Sequence, residues 1–251
     1  MPEEKRQLFK PTSLLKPISR GFCPGCTHGI IHRLVCETIE EMNLTEKAII
    51  IIPVGCATLS VDYFDFDSIQ SAHGRAPAVA TGVKRARPDL FVFTYQGDGD
   101  LASIGTAEIV HAANRGENIS VIFVNNGIYG MTGGQMAPTT LLGWKTETSP
   151  YGREPKREGY PIRMSEMLSQ LNGPAYIART AVNNPKNVLA TKRAIRKAFT
   201  AQEKGLGFSL VEILSTCPTN WGMDALSALK RIDEEVMKYY PLSEFKVMEG
   251  L

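Results

Sequence analysis

The sequence predicts an α/β fold with a mostly parallel sheet and helices on both of its faces. Short apolar runs rich in Ile, Val and Phe alternate with longer stretches in which apolar residues recur at helical spacing, and this alternation is typical of parallel sheets. The chain has 251 residues, of which 43% are hydrophobic, so it can bury a sizeable core. We therefore predict a single domain over residues 1–251, without internal repeats.

Five runs have the length and composition of buried strands. The run Leu-Phe-Val-Phe-Thr-Tyr at 90–95 is apolar, β-branched and aromatic, and it leads to two glycines, as a buried parallel strand ends at a loop. The other runs share this composition and also end near Gly, Pro, Asn or Ser. The predicted strands are 48–54, 90–95, 119–124, 175–182 and 208–214.

Helices are predicted between and after these strands. In the stretch after residue 100, Leu101, Ile104 and Ile109 are separated by alanines, and the helix should end near Gly116. The predicted helices are 29–42, 76–87, 101–115, 163–171, 185–204 and 224–240, the last of which should pack on a neighbour. Residues 1–28 form an N-terminal arm and 221–251 a helical extension.

The composition excludes several classes of partner. The net charge is only +2 and there is no long basic run, which argues against nucleic acid as the main partner. Residues 1–10 are charged and lack an apolar signal core, and the longest apolar runs are too short to span a bilayer. We expect a cytoplasmic protein that does not enter membranes.

Polar residues follow two successive strands of one predicted β-α-β unit. Gly97-Asp98-Gly99 follows the strand at 90–95, and Asn125-Asn126 follows the strand at 119–124. In a right-handed β-α-β unit the two strand ends meet at one sheet edge. Asp98, the Asn126 amide oxygen and the Ile128 carbonyl could therefore bind Mg²⁺ together with a diphosphate. The alternative is a plain strand-to-helix turn.

Four of the five cysteines are candidate ligands of a second site, which would bind a metal ion or an iron–sulfur cluster. Cys23 and Cys26 have the two-residue spacing that lets both thiolates bind one metal or cluster, and Cys56 and Cys217 each follow a predicted strand. The candidates are a [4Fe–4S] cluster, which we favour, a zinc site, and a thioredoxin-like redox pair of Cys23 and Cys26. Cys36 lies among apolar helix residues and is interpreted as a small hydrophobic residue.

Five motifs together resemble those of the β subunit of 2-oxoacid:ferredoxin oxidoreductases, which has a thiamine-diphosphate-binding fold. They cover most of the chain. The motifs are Phe22-Cys-Pro-Gly-Cys-Thr-His-Gly29, His73-Gly-Arg-Ala76 with Ala78-Val-Ala-Thr-Gly82, Gly97-Asp-Gly-Asp100, Asn125-Asn-Gly-Ile-Tyr-Gly-Met-Thr-Gly-Gly-Gln135 with Pro138-Thr-Thr140, and Cys217-Pro-Thr-Asn220. The resemblance implies oxidative decarboxylation of a 2-oxo acid with coenzyme A, with electrons passed through a [4Fe–4S] cluster to ferredoxin.

The resemblance also implies a role for each matching residue. Cys23, Cys26, Cys56 and Cys217 would hold the [4Fe–4S] cluster. The magnesium and thiamine diphosphate would be bound by two groups of residues: Asp98, Asn126 and Ile128 at the metal, and Gly97, Gly99, Asp100, Gly130 and Thr132 in the loops around the diphosphate.

His73 and Arg75 are the candidate catalytic residues. By analogy with the family they would lie near the cofactor or substrate, where an imidazole can donate a hydrogen bond and a guanidinium can bind carboxylate or phosphate. The alternative is that Arg75 caps or pairs on its helix and that His73 is a satisfied loop residue. His28 and His32 are interpreted as packing or surface residues.

The resemblance implies partner subunits as well. Thiamine enzymes need a glutamate from a pyrimidine-binding domain, and this chain has room for the diphosphate-binding domain only. We expect an α subunit that supplies this glutamate, and γ and ferredoxin-like δ subunits, with ferredoxin as the electron acceptor.

The substrate is predicted from a short segment. Residues 131–135 with 138–140 are more similar to the 2-oxoglutarate and branched-chain members than to the pyruvate members. We expect 2-oxoglutarate to be converted to succinyl-CoA, with 2-oxoisovalerate as the alternative; indolepyruvate, pyruvate and aryl 2-oxo acids stay open. The rival classes are a non-redox thiamine decarboxylase subunit and a zinc-stabilised assembly subunit.

Overall fold

A computed structural model describes residues 11–18 and 21–251 of the chain. The remaining residues of the predicted N-terminal arm, 1–10 and 19–20, lie outside this part. The strands are β1 Ala48–Ile52, β2 Ser68–Gln70, β3 Phe91–Gly97, β4 Ser120–Asn125, β5 Ile128–Tyr129, β6 Gln135–Met136, β7 Pro174–Ala181, β8 Phe208–Leu214 and β9 Ser243–Val247.

The helices lie between the strands, and most are short. They are α1 His28–Glu41, α2 Ser60–Tyr63, α3 Ala76–Ala86, α4 Thr106–Asn114, α5 Pro155–Glu158, α6 Met164–Ser169, α7 Pro185–Glu203, α8 Pro218–Trp221, α9 Ala225–Arg231 and α10 Met237–Tyr239. A 3₁₀ turn covers Cys56–Leu59, and π-helical turns cover Asp100–Ile104 and Ile232–Val236.

Within the described residues, seven strands form one sheet in the order β2-β1-β3-β4-β8-β7-β9. All neighbouring pairs are parallel except β7 with β9. The fold class predicted from the sequence is therefore confirmed, with an antiparallel strand added at one edge.

Two apolar layers cover the sheet because successive strand residues point to opposite faces. Phe91, Phe93 and Tyr95 of β3 belong to the core cluster that contains residues of α1 and α7, whereas Val92 belongs to the cluster that contains residues of α3, α4 and α6. The central strands are buried on both sides, which explains their nearly continuous apolar sequences.

Three strand regions differ from the sequence-based prediction. Strand β2 is only three residues long and carries Ser68 and Gln70, so it lacks the apolar run by which strands were recognised. Strands β5 and β6 form a two-residue antiparallel pair after Asn126. Strand β9 is also largely exposed. The prediction missed β2 and β9 because edge strands need little apolar surface, and it missed β5 and β6 because each is only two residues long.

Two predicted helices also need correction. The helix predicted at 101–115 begins as a π-helical turn, and regular α-helix starts only at Thr106. The helix predicted at 224–240 is divided by a second π-helical turn, and the extension 221–251 ends in a strand rather than being wholly helical. This region packs on the chain itself, since Ile232, Val236 and Tyr240 join a cluster with Leu141 and Trp144.

Within the part of the chain that the structure describes, no helix combines the length and the apolar character that a bilayer crossing requires.

Candidate functional site

Asp98 lies where β3 and β4 end side by side. The register aligns Gly97 with Val124, so the loops after these two strands start at the same sheet edge. The Asp98 carboxylate is buried and accepts hydrogen bonds from Gly99 N at 2.9 Å, Gly127 N at 2.7 Å and Thr139 Oγ1 at 2.6 Å. The predicted convergence of the 97–99 and 125–127 segments is thus present.

The Asp98 carboxylate fits a cation. Burial raises its pKa to about 6, despite three hydrogen bonds that favour the ionised form. Among the described residues no Lys, Arg or His forms an ion pair with Asp98, and Oδ1, which accepts the Gly99 N–H, keeps a lone pair. Asn126 and Ile128 line the same cavity, and Asn126 Oδ1 accepts the Ile128 N–H at 3.1 Å.

We call this space the Asp98 cavity. Its volume is about 120 Å³. Its walls contain all the predicted cofactor-binding residues from the strand ends and the Gly-rich loop: Gly97, Asp98, Gly99, Asp100, Asn126, Ile128, Gly130 and Thr132, together with residues 54–57, His28, His73, Val124, Tyr129 and Met131.

Gly99 is required by a neighbouring side chain. A Cβ at Gly99 would lie 2.2 Å from Cε1 of Tyr129, whereas a Cβ at Gly97 would meet no atom within 4 Å. The Tyr129 hydroxyl donates to the Gly99 carbonyl at 3.1 Å. In the described chain, therefore, Gly99 allows Tyr129 to pack over the loop.

Asp100 orients His73. One carboxylate oxygen contacts His73 Nδ1 at 2.5 Å and accepts the Gly74 N–H at 2.6 Å, and the other accepts from Gln96 Nε2 at 2.7 Å. Burial raises the pKa of Asp100, and the hydrogen bonds oppose this rise. His73 is 33% exposed and lines the Asp98 cavity.

Arg75 forms an ion pair with a residue of a neighbouring helix. Its guanidinium pairs with the Glu108 carboxylate on α4 and is half-exposed. It is not among the described residues that line the Asp98 cavity. This arrangement agrees with the alternative interpretation, in which Arg75 pairs on the helices.

The four predicted cluster ligands line a second cavity, which we call the thiol cavity. Its volume is about 190 Å³, and Cys23, Cys26, Cys56 and Cys217 all contribute to its walls. No three His, Cys, Asp or Glu side chains of residues 11–18 and 21–251 meet closely enough to hold a single metal ion. Cys36 lies on α1 and is buried in the core, as predicted.

The thiols fit a cationic group such as an iron–sulfur core. Burial and the neighbouring thiols raise the pKa of Cys26 to about 12 and that of Cys56 to about 11. Thiolates at these positions would repel one another, and metal ions remove both the repulsion and the desolvation cost because they bind the deprotonated sulfur.

The two cavities share a wall. Five residues line both of them: His28, Cys56, Asn126, Gly130 and Met131. A group bound at Asp98 and a group bound by the thiols would therefore be neighbours.

His28 was interpreted from the sequence as a packing or surface residue, but it lies in the shared wall. Its Nδ1 is 2.6 Å from the Tyr95 hydroxyl, and its ring stacks on Phe22 with centroids 4.9 Å apart. Burial lowers its pKa to about 4, so the ring is neutral at neutral pH. His32 is a packing residue, with Nε2 2.9 Å from Ser60 Oγ.

Arg153 holds the long segment after the Gly-rich loop. Its buried guanidinium donates to backbone carbonyls on both sides of the segment, including Pro138 at 2.9 Å, Thr140 at 2.6 Å and Tyr160 at 2.9 Å. These bonds fix the position of Thr139, which donates to Asp98.

Comparison with known proteins identifies the family. Residues 53–213 match the family model described as thiamine pyrophosphate enzyme, C-terminal TPP binding domain. The 2-oxoglutarate synthase subunit KorB of Archaeoglobus fulgidus is 36% identical over 213 residues, which are 85% of this chain and 75% of that protein. The chain belongs to the 2-oxoacid:ferredoxin oxidoreductase family. The resemblance seen in the sequence motifs is thereby confirmed.

Other members of the 2-oxoacid:ferredoxin oxidoreductase family extend the comparison. The ketoisovalerate oxidoreductase subunit VorA of Methanothermobacter thermautotrophicus is 48% identical over 245 residues, 98% of this chain. The chain spans about half the length of VorA, 51%. A solved 2-oxoglutarate:ferredoxin oxidoreductase from Magnetococcus marinus, with 2-oxoglutarate, coenzyme A and succinyl-CoA bound, matches with a TM-score of 0.72 and 31% identity, covering 86% of this chain and 70% of that one.

Residues that the prediction of site residues missed include Thr139, Tyr129 and Asn220. Thr139 and Asn220 stand inside quoted motifs, so their position in the sequence was a signal, but their contacts with Asp98 and Cys217 join distant parts of the chain.

Proposed function

We propose that the chain is the thiamine-diphosphate-binding subunit of an enzyme that oxidatively decarboxylates a 2-oxo acid with coenzyme A and passes the electrons through a [4Fe–4S] cluster to ferredoxin. The shared wall of the Asp98 cavity and the thiol cavity carries this proposal. A thiamine enzyme without redox chemistry would have no use for four thiols beside its cofactor.

Asp98, the Asn126 amide oxygen and the Ile128 carbonyl would hold Mg²⁺, and the loops at 97–100 and 130–132 would bind the diphosphate. Hard oxygen ligands with one carboxylate are the set that Mg²⁺ prefers when it also binds a diphosphate. When bound, thiamine diphosphate supplies a carbon nucleophile and an acceptor for the electron density that is released as carbon dioxide leaves.

His73 is the residue of this chain that we propose for contact with substrate or cofactor. Because Asp100 holds Nδ1, Nε2 is the ring nitrogen left for a ligand in the Asp98 cavity. The Arg75 guanidinium forms an ion pair with the Glu108 carboxylate, so we propose a structural role for Arg75.

Cys23, Cys26, Cys56 and Cys217 would ligate the [4Fe–4S] cluster, which accepts and delivers electrons one at a time. Cysteines that are bound to a cluster rather than paired in disulfides fit a reducing compartment, and we propose that the enzyme is cytoplasmic.

Partner subunits would complete the site. Two large apolar residues at the Asp98 cavity are half-exposed, Val54 at 42% and Met131 at 46%, and nearby Ile104 on the π-helical turn is 47% exposed. An apolar rim of this kind suits contact with a further domain or subunit. We propose an α subunit that brings the activating glutamate, with γ and ferredoxin-like δ subunits.

Two substrates are candidates. The KorB relative is named for 2-oxoglutarate, the substrate that we expect from residues 131–135 with 138–140, and the Magnetococcus marinus structure contains it. The VorA relative is named for ketoisovalerate, and the apolar side chains of Val54, Ile128 and Met131 in the cavity wall suit a branched aliphatic substrate.

Metal analysis of the anaerobically purified protein, co-expressed with its partner subunits, tests the proposal. We expect four iron atoms with sulfide, and coenzyme A-dependent ferredoxin reduction with 2-oxoglutarate or 2-oxoisovalerate. Zinc in place of iron would support an assembly subunit, and magnesium alone with decarboxylation but no ferredoxin reduction would support a simple decarboxylase. Either result would overturn the proposal.

A further inference from the structure

Asn220 joins the two cavities through its side-chain amide. It lies on α8, three residues after Cys217, and lines the thiol cavity. Its Nδ2 is 2.9 Å from the Gly130 carbonyl oxygen and 3.2 Å from Cys217 Sγ. A carbonyl and a cysteine sulfur both accept hydrogen bonds, so the two N–H groups of the amide each have a partner.

The surroundings of Asn220 hold this orientation. A Cβ at Gly134 would lie 3.2 Å from Asn220 Oδ1, so the loop backbone packs directly against the amide. A Cβ at Gly130 would lie 3.2 Å from Cys56 Sγ and 3.4 Å from Cys217 Sγ, so the Gly130 backbone packs against both sulfurs, and Gly130 also lines the Asp98 cavity.

We propose that Asn220 sets the reduction potential of the iron–sulfur cluster by donating a hydrogen bond to Cys217 Sγ, with the Gly130 carbonyl fixing the amide. This inference rests on the proposed function, because it requires the cluster. A hydrogen bond to a ligand sulfur stabilises the additional negative charge of the reduced cluster and so raises its potential.

The electrostatics of Cys217 agree with this role. The Asn220 N–H donates to Cys217 Sγ at 3.2 Å and so directs the positive end of its dipole at this sulfur. Asn220 thus stabilises negative charge on this sulfur. It acts on the cluster through Cys217 and is a positioning residue rather than a catalytic one.

Two substitutions distinguish the effect of the hydrogen bond that Asn220 donates from the effect of its side-chain packing. Asn220→Leu keeps a side chain of similar size but removes the donor, and Asn220→Asp keeps the shape while replacing the donor with a carboxylate. Thr219→Val is the matched control, since Thr219 is the exposed preceding residue and does not line the thiol cavity.

The measurement is a redox titration of the anaerobic enzyme complex followed by electron paramagnetic resonance, with iron and sulfide content determined for each variant. We expect Asn220→Leu to shift the midpoint potential to more negative values, Asn220→Asp to shift it further, and Thr219→Val to leave it unchanged, all with four irons retained.

Two outcomes would overturn the inference. One is an unchanged potential in variants that retain four irons. The other is loss of the cluster from both Asn220 variants, which would make Asn220 an assembly residue. A wild-type protein without a four-iron cluster is a separate result, visible in the metal content before any titration, and it would overturn the proposed function itself.

Discussion

The two carboxylate oxygens of Asp98 accept hydrogen bonds from different parts of the chain. Oδ2 accepts from Gly127 and Thr139 and so connects three segments, whereas within the described part of the chain Oδ1 accepts only from Gly99. The residue therefore both organises the loops and leaves an oxygen for a cation. The sequence motifs predicted Asp98 as a metal ligand. They did not predict the separate roles of its two oxygens, because Thr139, which donates to Oδ2, lies 41 positions away.

Asp98→Asn should weaken Mg²⁺ and thiamine diphosphate binding by more than about 100-fold, because it removes the carboxylate charge from the metal site. Isothermal titration of the metal-free protein measures this. The exposed Asp89, which pairs with Arg87, provides the control Asp89→Asn. Cluster content should not change, and simultaneous loss of iron would show that the assignment of the two sites is wrong.

His73→Gln should lower kcat by about 100-fold or more, the usual scale for a positioned proton donor or acceptor, without changing the affinity for thiamine diphosphate. Steady-state kinetics and cofactor titration on the complex separate the two effects. His111→Gln, at an exposed position of α4, is the control. Full turnover in His73→Gln would exclude His73 from the reaction.

At the scale of the elements, the site depends on segments that are short or irregular. Apolar patterning predicted the central strands, which are buried on both faces and have nearly continuous apolar sequences. It also predicted the long helix α7, whose buried residues recur on one face. It could not predict β5 and β6 or the path of residues 137–160, which depend on one buried guanidinium and on backbone hydrogen bonds.

Arg153→Met should lower the free energy of unfolding by at least about 2 kcal/mol, because it leaves several buried carbonyls without donors. It should also weaken thiamine diphosphate binding, since Thr139 loses its support. Denaturant unfolding and cofactor titration test both effects, with Lys156→Met as an exposed control on α5. Unchanged stability would contradict the role of Arg153.

Glu117 should give a pH-dependent contribution to stability. It pairs with Arg85 of α3 and with Arg115, and these hydrogen bonds and charges hold its pKa below the ordinary value of 4.5 although burial acts against them. A lowered folded-state pKa means that the contribution is complete above pH 4.5 and disappears as the pH falls through the folded-state pKa.

Glu117→Gln should therefore be less stable than the wild-type protein at pH 7, and the difference should close as the pH falls below 4.5. Thermal unfolding across this range measures it, with exposed Glu46→Gln as the control. A stability difference that is independent of pH would refute this account.

At the scale of the whole molecule, parallel topology brings distant residues to one sheet edge. Asp98 and Asn126 follow β3 and β4, Cys56 follows β1, and Cys217 follows β8. That convergence could be predicted from the order of strands and helices. The wall shared by the two cavities could not be predicted, because the positions of Gly130, Met131 and His28 in it depend on three-dimensional packing that a single sequence does not specify.

We propose that the thiamine site and the cluster site of this chain are neighbours that exchange electrons. Electron paramagnetic resonance of the anaerobic complex, frozen after mixing with a 2-oxo acid and coenzyme A, tests it most directly. The predicted result is a reduced [4Fe–4S] signal in the wild-type protein and none in Asp98→Asn with four irons retained. Equal cluster reduction in both proteins would contradict the claim.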